Sequence, residues 1–490
     1  MADGDDKQPL VDPRSLAALQ ARFGPGLRWW ALVTVMIGNM AAVMAATTIN
    51  VAVPAISHVF RLGPQQAQWL ATGFMAAMTM SMLATPWLLR RWGYRRSYIA
   101  MLVLLGAGGL AGGLSTSVEM LLAMRVVEGL AAGVLQTIPG VVIMRAFAPH
   151  EQGRAMGLFG FGTVLAPAIG PSVGGVLIEW FGWRAIFFFV LPFCVVAAEL
   201  ARRCLPHSAP GGEPIDRRAP PPDALSLALL SGTLGALLNG LVDLQGPRPW
   251  LGVATVALAV VLMALFVRRQ RHVPAPLLPL GLFKHPVFSA AGVVAFVYGA
   301  GLFGSTYLLP VFMLVALGLA PSQVGAVLVP AGLALAVVIP LAGRLADRQP
   351  VYLAIAAGLG VMALSFVLMI GIGRGSAIGW IVGWAVLGRI GLGFVIPSLN
   401  LGAMRGLPPP QIPAGASTVN FLRQLGGAIG VNLVGIMLGW REQAYAALGP
   451  DGVLRAFHEV FVLMALLTLA AAIAAWRMRP AGDATAMDSS

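Results

Sequence analysis

Residues 120–175 read MLLAMRVVEGLAAGVLQTIPGVVIMRAFAPHEQGRAMGLFGFGTVLAPAIGPSVGG. The first half is an apolar run interrupted by Arg125 and Glu128, three residues apart and so on one face of a helix. Holding an ionisable group at membrane depth costs roughly 2.5–3.5 kcal/mol even on a lenient insertion scale. Such a group is kept where it faces an interior cavity, finds a partner, or titrates as part of the work. The second half places Gly157, Gly160, Gly162, Pro167, Gly170, Pro171, Gly174 and Gly175 in a hydrophobic helix. Glycine there permits close backbone approach, and proline removes a hydrogen bond and permits a bend. A helix with a polar centre beside a bendable one suits a transport protein that moves.

Composition agrees. The chain has 490 residues, 58% hydrophobic and only 10% charged, with mean hydropathy +0.83. A soluble chain is about a quarter charged, so an all-α integral membrane protein is expected. The net charge of +13 does not imply nucleic acid, because the arginines sit in short loops between apolar runs, where they orient a membrane protein. Cys194 and Cys204 suggest neither a disulfide framework nor a metal site. The polar start MADGDDKQPLVDPRS is unlike a cleaved signal peptide.

A helix crosses the hydrocarbon in about 20 residues. About fourteen such spans are expected, near 29–50, 67–89, 97–116, 119–144, 153–178, 184–204, 224–243, 250–267, 287–313, 323–345, 351–372, 377–402, 413–440 and 455–476. Most of the 32 Lys and Arg then fall on one side, led by Arg90, Arg91, Arg95 and Arg96. The other side holds only Arg61, Arg184, Arg248, Arg374, Arg441 and Arg455, while Arg125, Arg389 and Arg423 lie within spans. The bias places both termini in the cytoplasm. The expected units are a cytoplasmic N-terminal segment (1–28), a six-helix bundle (29–204), a Pro-rich linker (205–222), two inserted helices (223–270), a second six-helix bundle (271–479) and a disordered tail (480–490).

The loop PWLLRRWGYRR (86–96) reads equally as a topological anchor and as a gate. GRLADR (343–348) echoes it in the second half, and RVVEGLAAG (125–133) has a weaker echo in GRIGLGFVIP (388–397). Such internal repetition is a mark of alternating-access transporters.

At these motifs the chain resembles the major facilitator superfamily, in its 14-helix drug:proton antiporter branch of EmrB-like and QacA-like exporters. TTINVAVPAI (47–56) is similar to the D-x-T-I-x-N-V-A-x-P signature, residues 86–96 to G-x-L-A-D-R-x-G-R-R, and RVVEG to R-x-x-Q-G. APAIGPSVGG (166–175) resembles the antiporter motif G-P-x-x-G-G; WRAIFFFVLP (183–192), LFKHPVF (282–288) and GASTVNFLRQLGGAIGV (415–431) also fit. The resemblance implies two six-helix bundles plus two inserted helices, and proton-coupled efflux of amphipathic compounds from a bacterial inner membrane. It also implies an exporter that works with a periplasmic adaptor and an outer-membrane channel.

The departures redirect the chemistry. Ala45 occupies the signature's acidic position, and in the basic loop Pro86 and Arg90 replace a glycine and an aspartate, although Asp347 and Arg348 keep that pair in the second copy. A proton antiporter needs a group whose proton affinity differs between its two states. Burial favours the protonated carboxyl and a nearby cation opposes it, so a changing Arg125–Glu128 separation would drive uptake and release. Glu128 is thus the expected coupling carboxylate, with Arg125 its partner; a static pair pinning the helix is the alternative. Gly162, Pro167, Gly170, Pro171, Gly174 and Gly175 are expected to form a tight, flexible interface between the two bundles, and ordinary small-residue packing is the alternative. Arg90, Arg91, Gly93, Arg95, Arg344, Asp347 and Arg348 would form cytoplasmic gating loops.

Asn39, Asn50, Gln136, Phe303, Tyr307, Asn420 and Arg423 are candidates for a substrate cavity, though residues of these types more often make lipid-facing or helix–helix contacts. A lipophilic anion, a neutral amphiphile and a quaternary ammonium all remain open as substrates. No phosphate-binding loop, enzyme motif, cofactor site or metal site is expected. A carrier dedicated to one endogenous metabolite is the second reading, and a membrane scaffold or sensor is the third.

Overall fold

In hydrocarbon a backbone must satisfy its own polar groups, and for a single chain of long apolar runs that means helices. The computed structural model of the protein, described for residues 21, 24, 26–207, 215–244 and 249–479, contains only helices, turns and bends among those residues. The expectations for residues 1–20, for most of the linker's Pro–Gly stretch and for the 480–490 tail lie outside the described residues.

The N-terminal half comprises α1 (Leu27–Phe60), α2 (Pro64–Trp92), α3 (Tyr94–Gly113), α4 (Val118–Ala146), α5 (Gln152–Phe181) and α6 (Ala185–Cys204). A peripheral pair follows, α7 (Ala224–Asp243) and α8 (Pro249–Gln270). The C-terminal half comprises α9 (Pro286–Val311), α10 (Pro321–Ala346), α11 (Val351–Met369), α12 (Ile378–Met404), α13 (Ile412–Ala444) and α14 (Gly449–Ala475). Among the described residues twelve helices are long and apolar enough to cross a membrane; α2 and α5, of 29 and 30 residues, are not in that set. Several helices outrun their apolar cores. At 1.5 Å per residue the 34-residue α1 is about 50 Å long, against a hydrocarbon layer of about 30 Å. It ends where Arg61 turns left-handed, with φ 53°.

Two apolar cores divide the molecule. One is built from residues between Leu282 and Met478, around Phe312, Phe457 and Phe461. The other runs from Ala31 to Leu205 and takes Ala346, Leu401, Met404, Ile412 and Ala416 from the C-terminal half. Those five lie at the arginine-rich end, which is where the halves meet.

Helices α7 and α8 form an antiparallel hairpin at the edge. Asp223 caps α7 by accepting the Ser226 N–H at 3.0 Å and binds Arg269 of α8 through two hydrogen bonds of 3.0 and 3.1 Å. Only 28% and 17% of their apolar windows are buried, against 78% for α4, so most of the pair faces outward. Leu230, Leu234 and Phe266 of the hairpin reach Leu83 of α2 and Phe421 of α13, bridging the two halves from the side.

The central crossing is α5 against α10. A Cβ at Gly153 would overlap the Gly343 carbonyl oxygen, and one at Gly343 would overlap that of Gly153. Gly157 and Pro340 continue the contact, with 3.0 Å between a Cβ at Gly157 and the Pro340 Cα, so backbone touches backbone along this end. With 3.6 residues per turn, Pro167 and Gly175 share the contact face of α5, and Gly325, Val329 and Gly332 share that of α10. There Pro167 is exposed, Val329 is 60% exposed, and a Cβ at Gly175, Gly325 or Gly332 would meet nothing within 4 Å. The two helices therefore splay: the molecule is closed at the arginine-rich end and open at the other.

Candidate functional site

Helix α4 begins at Ser117, whose hydroxyl accepts the Met120 N–H at 3.2 Å. Two turns in it presents Arg125 and Glu128, each only 1% exposed. Arg125 Nη1 donates to Glu128 Oε2 at 2.7 Å and to the Ala45 carbonyl of α1 at 3.1 Å; Nε donates to the Leu70 carbonyl of α2 at 3.0 Å. The guanidinium carbon lies 4.3 Å from the centre of the Phe74 ring. One cation thus ties three helices together. Its Nη2 is buried without a hydrogen-bond partner. Glu128 lies against α3, where a Cβ at Gly108 would come within 3.0 Å of its Cγ and one at Gly109 within 3.3 Å of Oε1. Glycine at both positions makes the room. The pair is sealed inside the N-terminal half and does not face the cleft between the halves.

At the closed end, Asp347 follows α10 and its carboxylate caps α5. Oδ1 accepts the Gly153 N–H at 2.6 Å and Oδ2 the Arg154 N–H at 2.8 Å. The first turn of a helix has free N–H groups and the positive end of its dipole, so an anion is well placed there. Arg145 of α4 donates to the Pro409 carbonyl across the same junction. Arg344 and Arg348 are exposed.

Two sets of expected site residues make contacts within their own half. Among the antiporter-motif residues, Gly162 and Gly170 pack on Met36 and Thr47 of α1, whose side chains stand 2.6 and 2.8 Å from where a Cβ would lie, and Gly174 meets Thr48 at 3.6 Å. They join helices within one half; the α5 glycines that meet α10 of the opposite half are Gly153, Gly157 and Gly160, nearer the start of the helix. Pro167 and Gly175 instead face the open cleft, and the side chain of Pro171 lies outside the described residues. The basic loop is the second set. Arg90 pairs with Asp216 at 3.1 Å, Arg91 donates to the Ala219 carbonyl at 2.8 Å, and Gly93 turns with φ +79° under the His207 carbonyl and Ile215. Arg90, Arg91 and Gly93 thus hold the linker.

The cavity candidates separate. Asn39 is buried and braces α1 to α5 through Thr163 at 2.9 Å, while Gln136 points its amide at the Met78 sulfur. Asn50 is exposed and Tyr307 is 39% exposed. Phe303, Asn420 and Arg423 come together where α9 crosses α13: Phe303 covers Gly427, and Arg423 donates to Asn420 Oδ1 at 2.7 Å. Arg389, which sequence reasoning left among the span arginines, joins that group through Thr306 at 3.3 Å.

Two halves of six helices, a tight crossing at one end and a cleft at the other define a membrane transporter. The comparison with known proteins agrees: residues 35–431 match the Major Facilitator Superfamily. The chain belongs to that superfamily and is a multi-pass membrane transporter, not an enzyme. It is 30% identical to a multidrug resistance protein B homolog of Mycobacterium tuberculosis, over 89% of this chain and 82% of that one. It is 28% identical to the lincomycin resistance protein LmrB of Listeria innocua, over 85% and 88%. Among solved structures, the human organic anion transporter MFSD10 (TETRAN) superposes with a TM-score of 0.60 at 17% identity, covering 90% of this chain and 99% of that one, a likeness of fold alone.

Proposed function

We propose that the protein is a proton-coupled antiporter that exports amphipathic drugs or toxic compounds across a bacterial inner membrane by alternating access. In this reading α2 and α5 also cross, giving fourteen spans with both termini in the cytoplasm, and the open cleft faces outward. The bundles are residues 29–204 and 271–479, with the α7–α8 hairpin as the inserted pair in 223–270.

The observation that carries the coupling assignment is the Arg125–Glu128 pair. Arg125 holds the carbonyls of Ala45 and Leu70, so its grip on Glu128 depends on where α1 and α2 stand. Helix α1 rests on α5 at Gly162 and Gly170, and α5 is the helix that clamps the opposite half. Rocking about the α5–α10 crossing would shift α1, loosen Arg125 and let Glu128 exchange a proton with a newly admitted water. The unpartnered Nη2 offers that water a hydrogen bond. The similarity to multidrug and lincomycin resistance proteins supports drug efflux.

Uptake of amphipathic fluorescent compounds into inverted vesicles, with and without an imposed pH gradient, tests the proposal. Gradient-dependent accumulation is expected. Uptake that ignores the gradient would remove proton coupling, and absence of uptake across the panel would remove multidrug export.

A further inference from the structure

The N-terminal half neutralises its buried arginine; the C-terminal half does not. Arg125 has Glu128 three residues on, whereas the echoing Arg389 has Leu392, 1% exposed. No Asp or Glu occurs in residues 244–346 or 348–441, so no acid lies in α9, α10, α11, α12 or the body of α13. Of the acids near α13 and α14, Glu459 is already taken by Arg441 at 2.5 Å.

Arg389 and Arg423 are half-buried near the middles of α12 and α13, and neither makes an ion pair among the described residues. Arg389 reaches Thr306 of α9, and Gly299, two turns earlier on the same face of α9, packs against the backbone of Arg423, so one helix face carries both arginines. Their hydrogen bonds go to neutral groups, Asn420 for Arg423 and Thr306 for Arg389, which orient the guanidinium groups and leave the charge uncompensated. Asn420 is itself fixed by donating to the Ala416 carbonyl at 3.0 Å. Two unneutralised cations do not face lipid at this depth, so they address water or ligand inside the molecule. Phe303, between Gly299 and Thr306 on α9, packs on Gly427 one turn beyond Arg423 and supplies an apolar surface there.

We infer that Arg389 and Arg423 form the headgroup site for an amphipathic anion, a carboxylate or sulfonate on an apolar body. The planar fork of each guanidinium suits such oxygens, and the anion provides the missing counter-charge. The assignment deepens the transport reading by naming the substrate class, and it rests on that reading only for movement, not for binding.

The test uses the full-length protein in lipid nanodiscs and three matched probes: 2-naphthoate, 2-naphthyltrimethylammonium and 2-naphthamide. Naphthoate is expected to bind at least tenfold more tightly than the other two. Arg389→Gln and Arg423→Gln should each weaken naphthoate at least tenfold and leave the ammonium probe unchanged. Arg423→Lys, which keeps the charge, should retain part of the affinity and guards against a folding defect in the glutamine variants. Naphthoate binding no tighter than amide or ammonium, or a preference unmoved by both glutamine variants, overturns the assignment. Flux in proteoliposomes separates the two claims. Naphthoate binding without movement upholds the site and removes the transport reading; ammonium movement without naphthoate binding does the reverse.

Discussion

The carboxylate of Asp347, in the C-terminal half, accepts the backbone N–H of Gly153, in the N-terminal half, at 2.6 Å. Its second oxygen takes the next amide at 2.8 Å, so a single side chain caps α5 from across the molecule. The clamp is made at the closed, arginine-rich end, so under the proposed alternating access it belongs to one of the two states.

Asp347→Asn removes the charge and leaves an amide that can accept with one oxygen only. A hydrogen bond to a charged group contributes about 1.5–3 kcal/mol. Losing about 1.4 kcal/mol shifts the balance between states about tenfold toward opening at this end. Spin labels on α5 and α10 should report a wider distance population at the Gly153 end. An unchanged distribution would remove Asp347 as a clamp.

Gly175 and Gly325 face the cleft with free space around a Cβ, so cysteine fits at both positions without strain. With the cleft open, the Gly175→Cys/Gly325→Cys pair should not cross-link. Adding substrate or reversing the pH gradient should make it cross-link, because closure of the open end brings these faces together. Gly157→Val, whose side chain would press on Pro340 at 3.0 Å, should block the closed end and abolish cycling with expression intact. Cross-linking independent of ligand and gradient would contradict the two-ended motion.

Removing one member of a buried pair leaves the other charge uncompensated, at a cost of about 3–5 kcal/mol. Arg125→Leu should therefore lower the melting temperature strongly, while Arg125→Leu/Glu128→Leu should recover most of the loss. Ala45→Asp adds a carboxylate at a residue whose carbonyl already holds Arg125 and should fold at least as well as the parent. A double variant as unstable as Arg125→Leu would mean that the carbonyls of Ala45 and Leu70 matter more than the charge of Glu128.

Outside the spans, the hydrogen bond and charge of Arg90 hold the Asp216 carboxyl below its usual range, and Arg269 with Ser226 does the same for Asp223. A depressed carboxyl pKa contributes stability that is present above the unfolded value, about 3.9, and lost as pH falls through the folded one. Both contributions are complete between pH 5 and 8. Asp216→Asn and Asp223→Asn should lower the melting temperature equally at pH 5 and pH 8 and leave the shape of the transport pH profile alone. A profile that moves with either variant would place a coupling role at the linker or the hairpin.

Much of the architecture is legible in the sequence, because a span announces itself by length and apolarity alone. Arg125 and Glu128 are legible too, being rare charges at helical spacing in an apolar run. What is not legible is which helix each glycine meets. Gly162 and Gly153 look alike in sequence, yet one packs on α1 of its own half and the other on α10 of the opposite half. Asp347 is marked in the sequence as a gating-loop residue, but its partners are hidden, because they are backbone amides, which carry no residue signature. The same holds for the basic loop, whose arginines reach linker residues more than a hundred positions away. Arg389 and Arg423 stand 34 positions apart on different helices, and only their shared contact with α9, at Thr306 and Gly299, relates them.

The proposed coupling role of Glu128 is tested most directly by proton release from purified, detergent-solubilised protein on addition of a transported compound, read with a pH-sensitive dye. The parent should release protons in proportion to bound compound, and Glu128→Gln should bind the compound and release none. Full release from Glu128→Gln would contradict the account and leave the Arg125–Glu128 pair as a fixed brace within the N-terminal half.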